Sequence, residues 1–575
     1  MYFCISILEM IHYLISYKKA YDHFIDFNLS LEVKSEKKIL LQLASWRPGR
    51  YELANYAQNI QKWDAYDSYG KKLVFRKINK DLWEVKTVGV EKVIIKYRYY
   101  ANQLDAGGSY LDKNQLYINP VNCCHYIVGR ENEKYQIQLD IPKEYRLACS
   151  LKKLKKHTLL ANSYDDLAES PLIASGTIQK KEYSVKGIRF YVWFQGPCKP
   201  DWKKIIKDFK LFTKSQIQHF GSFPKKEYHF LFQITPYKSY HGVEHSSNTV
   251  ILLGPGNQLN NKRYEDLLGI SSHELYHTWN IKAIRPIEMY PYDYTKENYF
   301  KTGFVAEGVT TYMGDLMLLN SGVFTWSEFI KTQNQNLERH LINYGRENMS
   351  VADSGFDSWL DGYKLGIPNR KISIYADAAL CMLMIDLFII NNTNGMRSLH
   401  SVMKDMFLTF NRKGYTEKDF KNLCIKYGGA EVREVFSNQI YNTKSYIPTL
   451  KKALKIVGLD LEEKNNPNLT AQYFGFISVK EQDKIIIKMV EPDSIADKNE
   501  IAPLDEISLI NRKKINKPLT DYLKKAKKDI IFTIKKKFSE KEITLKIGNY
   551  YKLLEFVKIK NTTEKQLLLR KKWSQ

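Results

Sequence analysis

The feature that most constrains this chain is the sequence His-Glu-Leu-Tyr-His at 273–277. Histidines four residues apart lie on one face of an α-helix, so the imidazoles of His273 and His277 can reach the same metal ion. Glu274 projects near that face, where its carboxylate can take a proton from a water molecule held by the metal. Apolar residues at helical spacing surround the motif, as this chemistry requires. The motif therefore predicts a helical metal centre, and the alternative is a surface helix with two incidental histidines.

A catalytic zinc site needs a third protein ligand and an open fourth position. Glu307 is the best candidate, because it begins a second helical stretch, 307–320, whose apolar face would pack on the first helix. Alone, Glu307 could equally be a helix-start carboxylate that complements the helix dipole. With the H-E-x-x-H sequence upstream, we interpret Glu307 as the third ligand of one zinc ion, with the fourth position left for water.

The hydrophobic pattern changes along the chain and predicts a multidomain α+β protein, since 575 residues exceed one ordinary core. Residues 10–170 show short alternating runs between turn clusters, which predicts an N-terminal β domain. Residues 171–455 begin with strands and a helix near Trp202–His219 and then become helical, which predicts a catalytic region with a β part and a helical part. Short strands return at 466–548, and 549–575 reads as a basic, partly amphipathic tail.

The charge of the chain raises the question of a nucleic-acid partner. Lys and Arg number 88 against 63 Asp and Glu, which gives a formal net charge of +25. A nucleic-acid site would concentrate this charge in a basic stripe, usually with aromatic residues between the cations. The lysines are instead spread through the sequence, so we predict a solvated basic surface and no nucleic-acid partner.

The cysteines and the N-terminus bear on localisation. Seven cysteines, widely spaced and without a C-x-x-C, form neither a disulfide framework nor a thiolate zinc site, which favours a reducing compartment. Glu9 and His12 interrupt the apolar start, and no basic segment precedes it, so it reads neither as a signal peptide nor as a membrane span. We predict a cytoplasmic protein without a membrane span, with Met10 as the biological start and residues 1–9 as an upstream extension.

The H-E-x-x-H sequence is part of a longer motif, SHELYHTWNIKAIRP at 272–286. This motif strongly resembles the glycyl aminopeptidase family, zinc metallopeptidases that carry a PDZ domain. Upstream, SWRPGRYELANYAQNI at 45–60 is similar to that family's P-x-W-x-P-G-x-Y signature. Downstream, AEGVTTYMGDL at 306–316 and ADSGFDSWLDGY at 352–363 follow in the expected order. The resemblance covers nearly the whole chain and implies a thermolysin-like catalytic region followed by a PDZ-like domain at 466–548.

The resemblance also implies an activity and the residues that carry it. It implies an exopeptidase that removes N-terminal residues from peptides with a free amine, with glycine or another small residue preferred in some members. One zinc ion would be bound by His273, His277 and Glu307, with Glu274 as the general base. Both histidines and both glutamates are present, so nothing in the metal site indicates an inactive enzyme.

Two further sites follow from the same resemblance. HGVEH at 241–245 resembles the family's amine-anchoring G-G-x-E-H, which implies that Glu244 and Gly242 bind the substrate's α-ammonium. A buried ammonium needs such a carboxylate partner, although an ion pair at a strand end is the alternative. Tyr375 aligns with the second Tyr of a S-Y-Y-x-K-G pattern, which donates a hydrogen bond to the tetrahedral oxyanion. The alternative for Tyr375 is an ordinary packing role.

This sequence departs from the family pattern at several positions near those sites. His241 replaces the first Gly of the amine-anchoring motif and would narrow the pocket beside the substrate amine. Ile374 replaces the neighbour of Tyr375, and Asp377 and Ala378 replace the Lys and Gly that follow it. These changes put substrate preference in question, and to a lesser degree the rate.

The predicted PDZ-like domain has its carboxylate-binding loop at YFGFI, 473–477, so Gly475 and Phe476 are the candidate peptide-binding residues. In a PDZ fold, backbone N–H groups of this loop capture a peptide C-terminus, and an adjacent strand edge pairs with the peptide. The alternative, equally weighted, is a module that packs on the catalytic domain and binds nothing.

Two other functions compete with the aminopeptidase. If Glu244 is structural, a metalloendopeptidase becomes the alternative. A non-catalytic peptide-binding scaffold with a structural zinc is the other, but such a scaffold has no use for Glu274, which is present.

Overall fold

The computed structural model describes residues 10–363, 366–524, 526 and 528–575. The hypothesis that residues 1–9 are an upstream extension lies outside these ranges. Over the described ranges the architecture is multidomain α+β, with an N-terminal β-sheet domain and a large helical region, as the hydrophobic pattern predicts. The six cysteines within these ranges are all free, and five of them are buried.

The N-terminal part of the chain consists almost wholly of short strands, with two short helices, α1 (Pro120–Cys123) and α2 (Tyr164–Ala168). The strands are β1 (Met10–Ser16), β2 (Phe24–Glu32), β3 (Lys38–Gln42), β4 (Ile60–Asp67), β5 (Phe75–Lys77), β6 (Leu82–Lys86), β7 (Lys92–Tyr100), β8 (Tyr110–Leu111), β9 (Gln115–Ile118), β10 (Tyr126–Ile127), β11 (Lys134–Leu139), β12 (Arg146–Ala148), β13 (Lys152–Lys155), β14 (Thr158–Ala161) and β15 (Leu172–Ser175).

These strands form one seven-stranded and two four-stranded sheets. Their strand orders are β13-β14-β11-β1-β2-β7-β4, β10-β3-β6-β5 and β12-β15-β9-β8. Strand β2 lies antiparallel between β1 and β7, and its alternating Ile25, Phe27 and Leu29 are buried. The alternation that predicts strands from the sequence therefore also selects the face that forms the core.

The core of the N-terminal domain continues into the helical region. The ring of Trp46 lies 5.0 Å from the ring of Trp359, and its indole N–H donates to the carbonyl of Asp293 at 2.7 Å. Both contacts fix the loop after β3, which carries the Trp-Arg-Pro-Gly-Arg-Tyr sequence of residues 46–51. This loop thereby reaches the second half of the chain.

A five-stranded sheet comes next, with the order β16-β17-β18-β20-β19. Strands β17 and β18, and β18 and β20, pair in parallel, while β19 is the antiparallel edge strand beside β20. The bounds are β16 (Gln179–Val185), β17 (Ile188–Gln195), β18 (Glu227–Ile234), β19 (Ser239–Glu244) and β20 (Asn248–Gly254). The predicted helix between these strands is α3 (Trp202–Phe220), which Asp201 caps through a hydrogen bond from the backbone N–H of Lys204.

The helical region surrounds one central helix. Its helices are α4 (Tyr264–Tyr276), α5 (Thr310–Asn320), α6 (Trp326–Leu341), α7 (Val351–Phe356), α8 (Ser358–Asp361), α9 (Ala376–Asn392), α10 (Leu399–Phe410), α11 (Glu417–Val435) and α12 (Tyr446–Ile456). All residues of α9 from Ala376 to Ile390 are buried, because this helix is apolar on every face and its neighbours enclose it. Within the described ranges, none of the helices has the length and apolar character needed to cross a bilayer.

The C-terminal part returns to strands. Strand β21 (Leu459–Lys464) precedes a further sheet with the path β22-β23-β24-β26-β27, in which β25 also pairs with β24. Its elements are α13 (Leu469–Phe474), β22 (Phe476–Glu481), β23 (Lys484–Val490), α14 (Ile495–Lys498), β24 (Glu506–Ile510), β25 (Lys513–Lys514), α15 (Leu519–Leu523), β26 (Ile530–Lys535) and β27 (Glu540–Leu545).

The last residues, 549–575, are more than the basic tail that their composition indicates. They form β28 (Leu553–Lys558), which pairs with β21, and α16 (Glu564–Trp573). Leu569 and Trp573 lie one helical turn apart and are buried in the core of the helical region, and the Trp573 indole N–H donates to the Tyr312 hydroxyl at 2.7 Å.

Candidate active site

Helix α4 carries the H-E-x-x-H sequence, with His277 at its C-terminal end. The Ser272 hydroxyl donates to the carbonyl of Gly314 on α5 at 2.7 Å, which ties the two helices together. Gly314 permits this close approach, because a Cβ there would lie 3.1 Å from the Cα of His273. The predicted packing of the second helix on the first is therefore present, and it faces the two histidines toward Glu307.

Glu307 lies in a π-helical turn, Phe304–Val309, that leads directly into α5. Such turns are uncommon and often occur at functional sites. The Asn280 side chain donates to the carbonyl of Val305 at 2.8 Å and to the Thr310 hydroxyl at 2.9 Å, which secures the turn from the segment after α4. Glu307 is buried, and its carboxylate points at both histidines.

The three side chains fit a zinc ion. The Nε2 atoms of His273 and His277 lie 3.0 Å apart, and Glu307 Oε2 lies 3.7 Å from the first and 3.5 Å from the second. A tetrahedral zinc with bonds of about 2.0–2.2 Å separates its ligand atoms by about 3.3–3.6 Å. The His277 Nδ1 atom lies 3.2 Å from the carbonyl of Asn280, to which it donates, so Nε2 stays free for the metal.

The electrostatics of the cluster reflect its burial and its carboxylates. Burial opposes the charged form of Glu307, but hydrogen bonds from the two imidazoles hold its pKa at about 2. Burial also opposes a charged His277, but Glu244 and Glu307 raise its pKa to about 9. Burial lowers the pKa of His273. The site thus concentrates negative charge around one position, which is what a divalent cation requires.

Glu274 lies beside the three ligands and is buried. Burial raises its pKa to about 8, and the Thr249 hydroxyl donates to its Oε2 at 3.3 Å. A Cβ on Gly242 would collide with the Glu274 carboxylate, so the strand can approach Glu274 this closely only because residue 242 is glycine. A cation nearby would bring the pKa of Glu274 back toward its ordinary value.

Glu244 ends the edge strand β19 and is 4% exposed. Its Oε1 has no hydrogen-bond partner among the described residues. A Cβ on Gly49, whose φ is +80°, would lie 2.5 Å from Glu244 Oε2, so the loop of the N-terminal domain closes directly over this carboxylate. An unpaired buried carboxylate is costly unless a cation from outside neutralises it.

Tyr375 lies at the start of α9, with its ring 6.5 Å from the ring of His273. Burial raises the pKa of its phenol, so the hydroxyl keeps its proton and can donate a hydrogen bond. The Tyr375 and Tyr363 hydroxyl oxygens lie 3.3 Å apart. The structure thus brings Tyr375 to the side of the metal cluster.

Gly475 and Phe476 lie in the C-terminal part of the chain. Gly475 ends α13 with φ at +80°, and its backbone N–H donates to the carbonyl of Ala471 at 2.9 Å. The Phe476 side chain is fully buried, with its ring 5.7 Å from the ring of Phe532. Their assignment as peptide-binding residues stays a prediction.

Tyr51 contacts the candidate metal site from the N-terminal domain, a role that the sequence motifs do not predict. Its hydroxyl donates to Glu307 Oε1 at 3.3 Å, and its ring lies 4.9 Å from the ring of Phe300. The sequence feature that could have indicated Tyr51 is the Pro-Gly-x-Tyr motif at 48–51. The residue that the tyrosine contacts is known only once the fold is known. The site is therefore completed by a loop more than 200 residues upstream of its ligands.

Replacing Tyr51 by Phe is expected to weaken zinc binding by about 10-fold, because partners that orient a metal ligand contribute about 10- to 100-fold to affinity. The phenyl ring retains its packing, so only the hydrogen bond to Glu307 is lost. Competition with a chromogenic chelator measures the zinc Kd.

Tyr294→Phe is the matched control for this change, since it removes a hydrogen bond from a buried tyrosine to Asp165. A zinc Kd that is the same for Tyr51→Phe, Tyr294→Phe and the unaltered protein would show that Tyr51 does not orient Glu307.

Two family models match this chain. The model described as the peptidase M61 N-terminal domain matches residues 12–176, and the model described as M61 glycyl aminopeptidase matches residues 266–381. The second range includes the three candidate zinc ligands, Glu274 and Tyr375. A search of curated proteins gives no match.

The fold is similar to that of a solved structure described as an aminopeptidase N family protein from Idiomarina loihiensis. The TM-score is 0.89 at 23% sequence identity, and the match covers 97% of this chain and 99% of that chain. A structure described as an M1 zinc metallopeptidase from Deinococcus radiodurans has a TM-score of 0.48 at 11% identity, over 76% of this chain and 94% of that chain. The first comparison shows that the fold is shared along nearly the full length of both chains.

Proposed function

The chain belongs to the M61 glycyl aminopeptidase family and is a zinc aminopeptidase, and we propose that it cleaves N-terminal peptide bonds at the His273–His277–Glu307 centre. The observation that carries this assignment is Glu244, a buried carboxylate that lies beside that centre in addition to Glu274. Glu244 has an oxygen without a hydrogen-bond partner among the described residues, and it ends the strand that also contacts Glu274. An α-ammonium is the cation that an aminopeptidase substrate would bring to it.

When bound, zinc polarises the scissile carbonyl and lowers the pKa of the attacking water. Three residues of the chain bind the substrate, transfer the proton and stabilise the oxyanion. Glu244 holds the substrate's α-ammonium and so places the first peptide bond at the centre. Glu274 takes a proton from the attacking water and passes it to the departing amine. Tyr375 donates its hydroxyl hydrogen to the oxygen that becomes negative in the transition state.

We further propose that the first substrate residue is small. The proposed binding site for the α-ammonium is lined by backbone that lies close to the two carboxylates. Gly49 contacts Glu244, and Gly242 contacts Glu274. His241 stands where the family pattern has a glycine, and its Nδ1 lies 3.4 Å from the backbone nitrogen of Ala106. These contacts leave little room for a large side chain beside the amine and support a preference for glycine or alanine.

We propose that the catalytic region is thermolysin-like and that residues 466–548 form a PDZ-like module. The strand path β22 to β27 with three short helices supports the second assignment. A packing role is favoured over capture of a peptide C-terminus, because the Gly475 N–H that would bind a carboxylate already donates to Ala471. Ala471 and Met489 also form an apolar cluster with Tyr344 of the helical region, which ties the module to it.

The proposed function is tested with short peptides that carry a free or an acetylated amine and that begin with Gly, Ala, Leu or Phe. The zinc-loaded protein is expected to release the first residue from free-amine peptides, fastest for Gly and Ala. Glu244→Gln is expected to raise KM for these peptides by about 100-fold, since a buried ammonium–carboxylate contact is worth about 2–5 kcal/mol.

Glu84→Gln serves as the control, because that carboxylate pairs with Lys38 and Arg76 in the N-terminal domain. Cleavage of acetylated peptides would remove Glu244 from its anchoring role and make the protein an endopeptidase. Zinc binding without turnover of any peptide would leave a non-catalytic scaffold.

A further inference from the structure

Asp377 is a departure from the family pattern that the proposed mechanism does not use. The pattern places a lysine here, two residues after the tyrosine that supports the oxyanion, and this chain places an acidic residue. Asp377 lies in the first turn of α9 and is 1% exposed. A carboxylate this deeply buried must be compensated by hydrogen bonds, so its partners indicate what it holds.

One carboxylate oxygen of Asp377 fixes the turn that carries Tyr375. Asp377 Oδ2 accepts the backbone N–H of Ser373 at 2.8 Å. The Ser373 hydroxyl oxygen in turn accepts the backbone N–H groups of Tyr375 and Ala376, each at 3.1 Å. The residues on both sides of Tyr375 are therefore joined in one closed set of hydrogen bonds, much as in a helix capping box.

The other oxygen of Asp377 fixes this turn to a different helix. His340, in the last turn of α6, donates from Nδ1 to Asp377 Oδ1 at 2.5 Å. His340 is 2% exposed, and its ring stacks on the ring of Tyr446 at 4.2 Å. Stacking on Tyr446 holds the imidazole in place, and its hydrogen bond to Asp377 anchors the start of α9 to α6.

Tyr375 needs such an anchor because it lies just before the first residue of α9, where the helix itself does not fix its position. Its hydroxyl is the group that would donate to the oxyanion. The φ and ψ of Tyr375 are −93° and −75°, and its own side chain makes no hydrogen bond that caps the helix. Among the described residues, its hydroxyl shares a hydrogen bond with the hydroxyl of Tyr363, which is 45% exposed. A donor to an oxyanion must be placed to within about 0.5 Å to be effective.

We propose that Asp377 and His340 are positioning residues that hold the Tyr375 hydroxyl at the oxyanion, an inference that rests on the proposed function. Ala378, the next departure, lies against the turn that carries Glu307, since a Cβ on Gly308 would lie 2.3 Å from the Ala378 Cβ.

A role limited to helix stability is the competing account. An acidic residue in the first turn of a helix interacts favourably with the helix dipole, without regard to Tyr375. That account explains a carboxylate facing the helix end. A capping box also explains the oxygen that binds Ser373. What the account leaves unexplained is why the other oxygen binds a histidine from α6.

The test compares kcat, KM and inhibitor affinity for Asp377→Asn, Tyr375→Phe and the double variant, each loaded with zinc. The amide of Asn is uncharged and has one acceptor oxygen for two donors. If that oxygen accepts from Ser373, His340 either loses its acceptor or moves its proton to Nε2 and accepts the amide N–H, which replaces a charge-assisted hydrogen bond by a weaker neutral one. We expect Asp377→Asn to lower kcat about 10-fold with KM changed less than about 2-fold, and Tyr375→Phe to lower kcat about 100-fold. Affinity for a phosphinic dipeptide analogue, which imitates the tetrahedral intermediate, should fall in parallel with kcat.

The double variant decides whether the two residues act together. If Asp377 acts through Tyr375, adding Asp377→Asn to Tyr375→Phe should lower kcat by no more than about 2-fold. An unchanged kcat for Asp377→Asn, or the same 10-fold loss in both backgrounds, would overturn the inference. An unchanged kcat for Tyr375→Phe would instead overturn the proposed role of Tyr375 itself.

Two further variants distinguish a loss of the positioning contact from a general loss of folding. His340→Asn keeps a donor near the Nδ1 position and should retain most of kcat, whereas His340→Phe removes it and should match Asp377→Asn. The matched control is Asp386→Asn on the same helix, because Asp386 is equally buried and binds Tyr312 and the backbone of Leu399. Equal kcat losses for Asp386→Asn and Asp377→Asn at equal thermal stability would show that any buried carboxylate of α9 has this effect.

Discussion

Glu274→Gln is expected to lower kcat by about 10³-fold while the protein still binds one zinc per chain. Glutamine has nearly the same shape and retains a group that can accept the hydrogen bond from Thr249, but it cannot take a proton from the attacking water. Glu274 is not among the three side chains whose atoms converge on one point, so the metal should remain. Steady-state kinetics on a free-amine Gly or Ala peptide, with zinc content by elemental analysis, measure both quantities.

The matched control for this change is Glu265→Gln on the same helix, since Glu265 is exposed and pairs with Lys331 at 2.7 Å. It should retain full activity. A kcat within about 3-fold of the unaltered protein for Glu274→Gln would exclude Glu274 as the base. Loss of zinc together with activity would assign it a structural role in the metal centre instead.

The metal centre could be predicted from the sequence because its geometry is largely local. The spacing of His273 and His277 places both imidazoles on one helix face, whatever the rest of the fold is. Glu307 required one further step, the packing of a second apolar helix on the first. That step is visible as helical periodicity, and the close contact at Gly314 provides its physical basis.

The parts of the site that the sequence did not predict depend on contacts between distant segments. Tyr51 reaches Glu307 only because the loop after β3 docks on the helical region through Trp46. Alternation predicts that β1 and β11 are strands, but not that they pair in parallel across more than 100 residues. No local sequence pattern specifies which strand pairs with which, since many strands of similar apolar character could pair with β1.

Asp377 shows a related limit of comparison with a family pattern. Compared with that pattern alone, an acidic residue in place of lysine puts the substrate preference in question, and to a lesser degree the rate. The fold instead supplies a partner from α6, His340, which lies 37 residues earlier in the chain. A substitution can be judged only with its spatial neighbours, and a single sequence does not provide them.

Glu307→Gln is expected to weaken zinc binding by more than about 100-fold, because the outer partners of a ligand alone contribute about 10- to 100-fold. The change replaces a carboxylate oxygen by a weaker, uncharged amide oxygen and removes a negative charge that the two imidazoles stabilise, since they hold the pKa of Glu307 at about 2. Competition with a chelator at pH 7 measures the Kd, with Glu265→Gln as the control.

The pH dependence of zinc binding gives this prediction a second readout. Burial lowers the pKa of His277, but Glu244, Glu307 and Glu274 outweigh it and raise that pKa to about 9, so the imidazole is charged at pH 7 without metal. Zinc must displace this proton, and the affinity of the unaltered protein should therefore rise between pH 7 and pH 9. Glu307→Gln removes one of the carboxylates that raise the pKa, so its affinity should rise less steeply over the same interval. Equal slopes and an unchanged Kd would show that Glu307 is neither a ligand nor the partner of His277, and the third ligand would then have to be sought elsewhere.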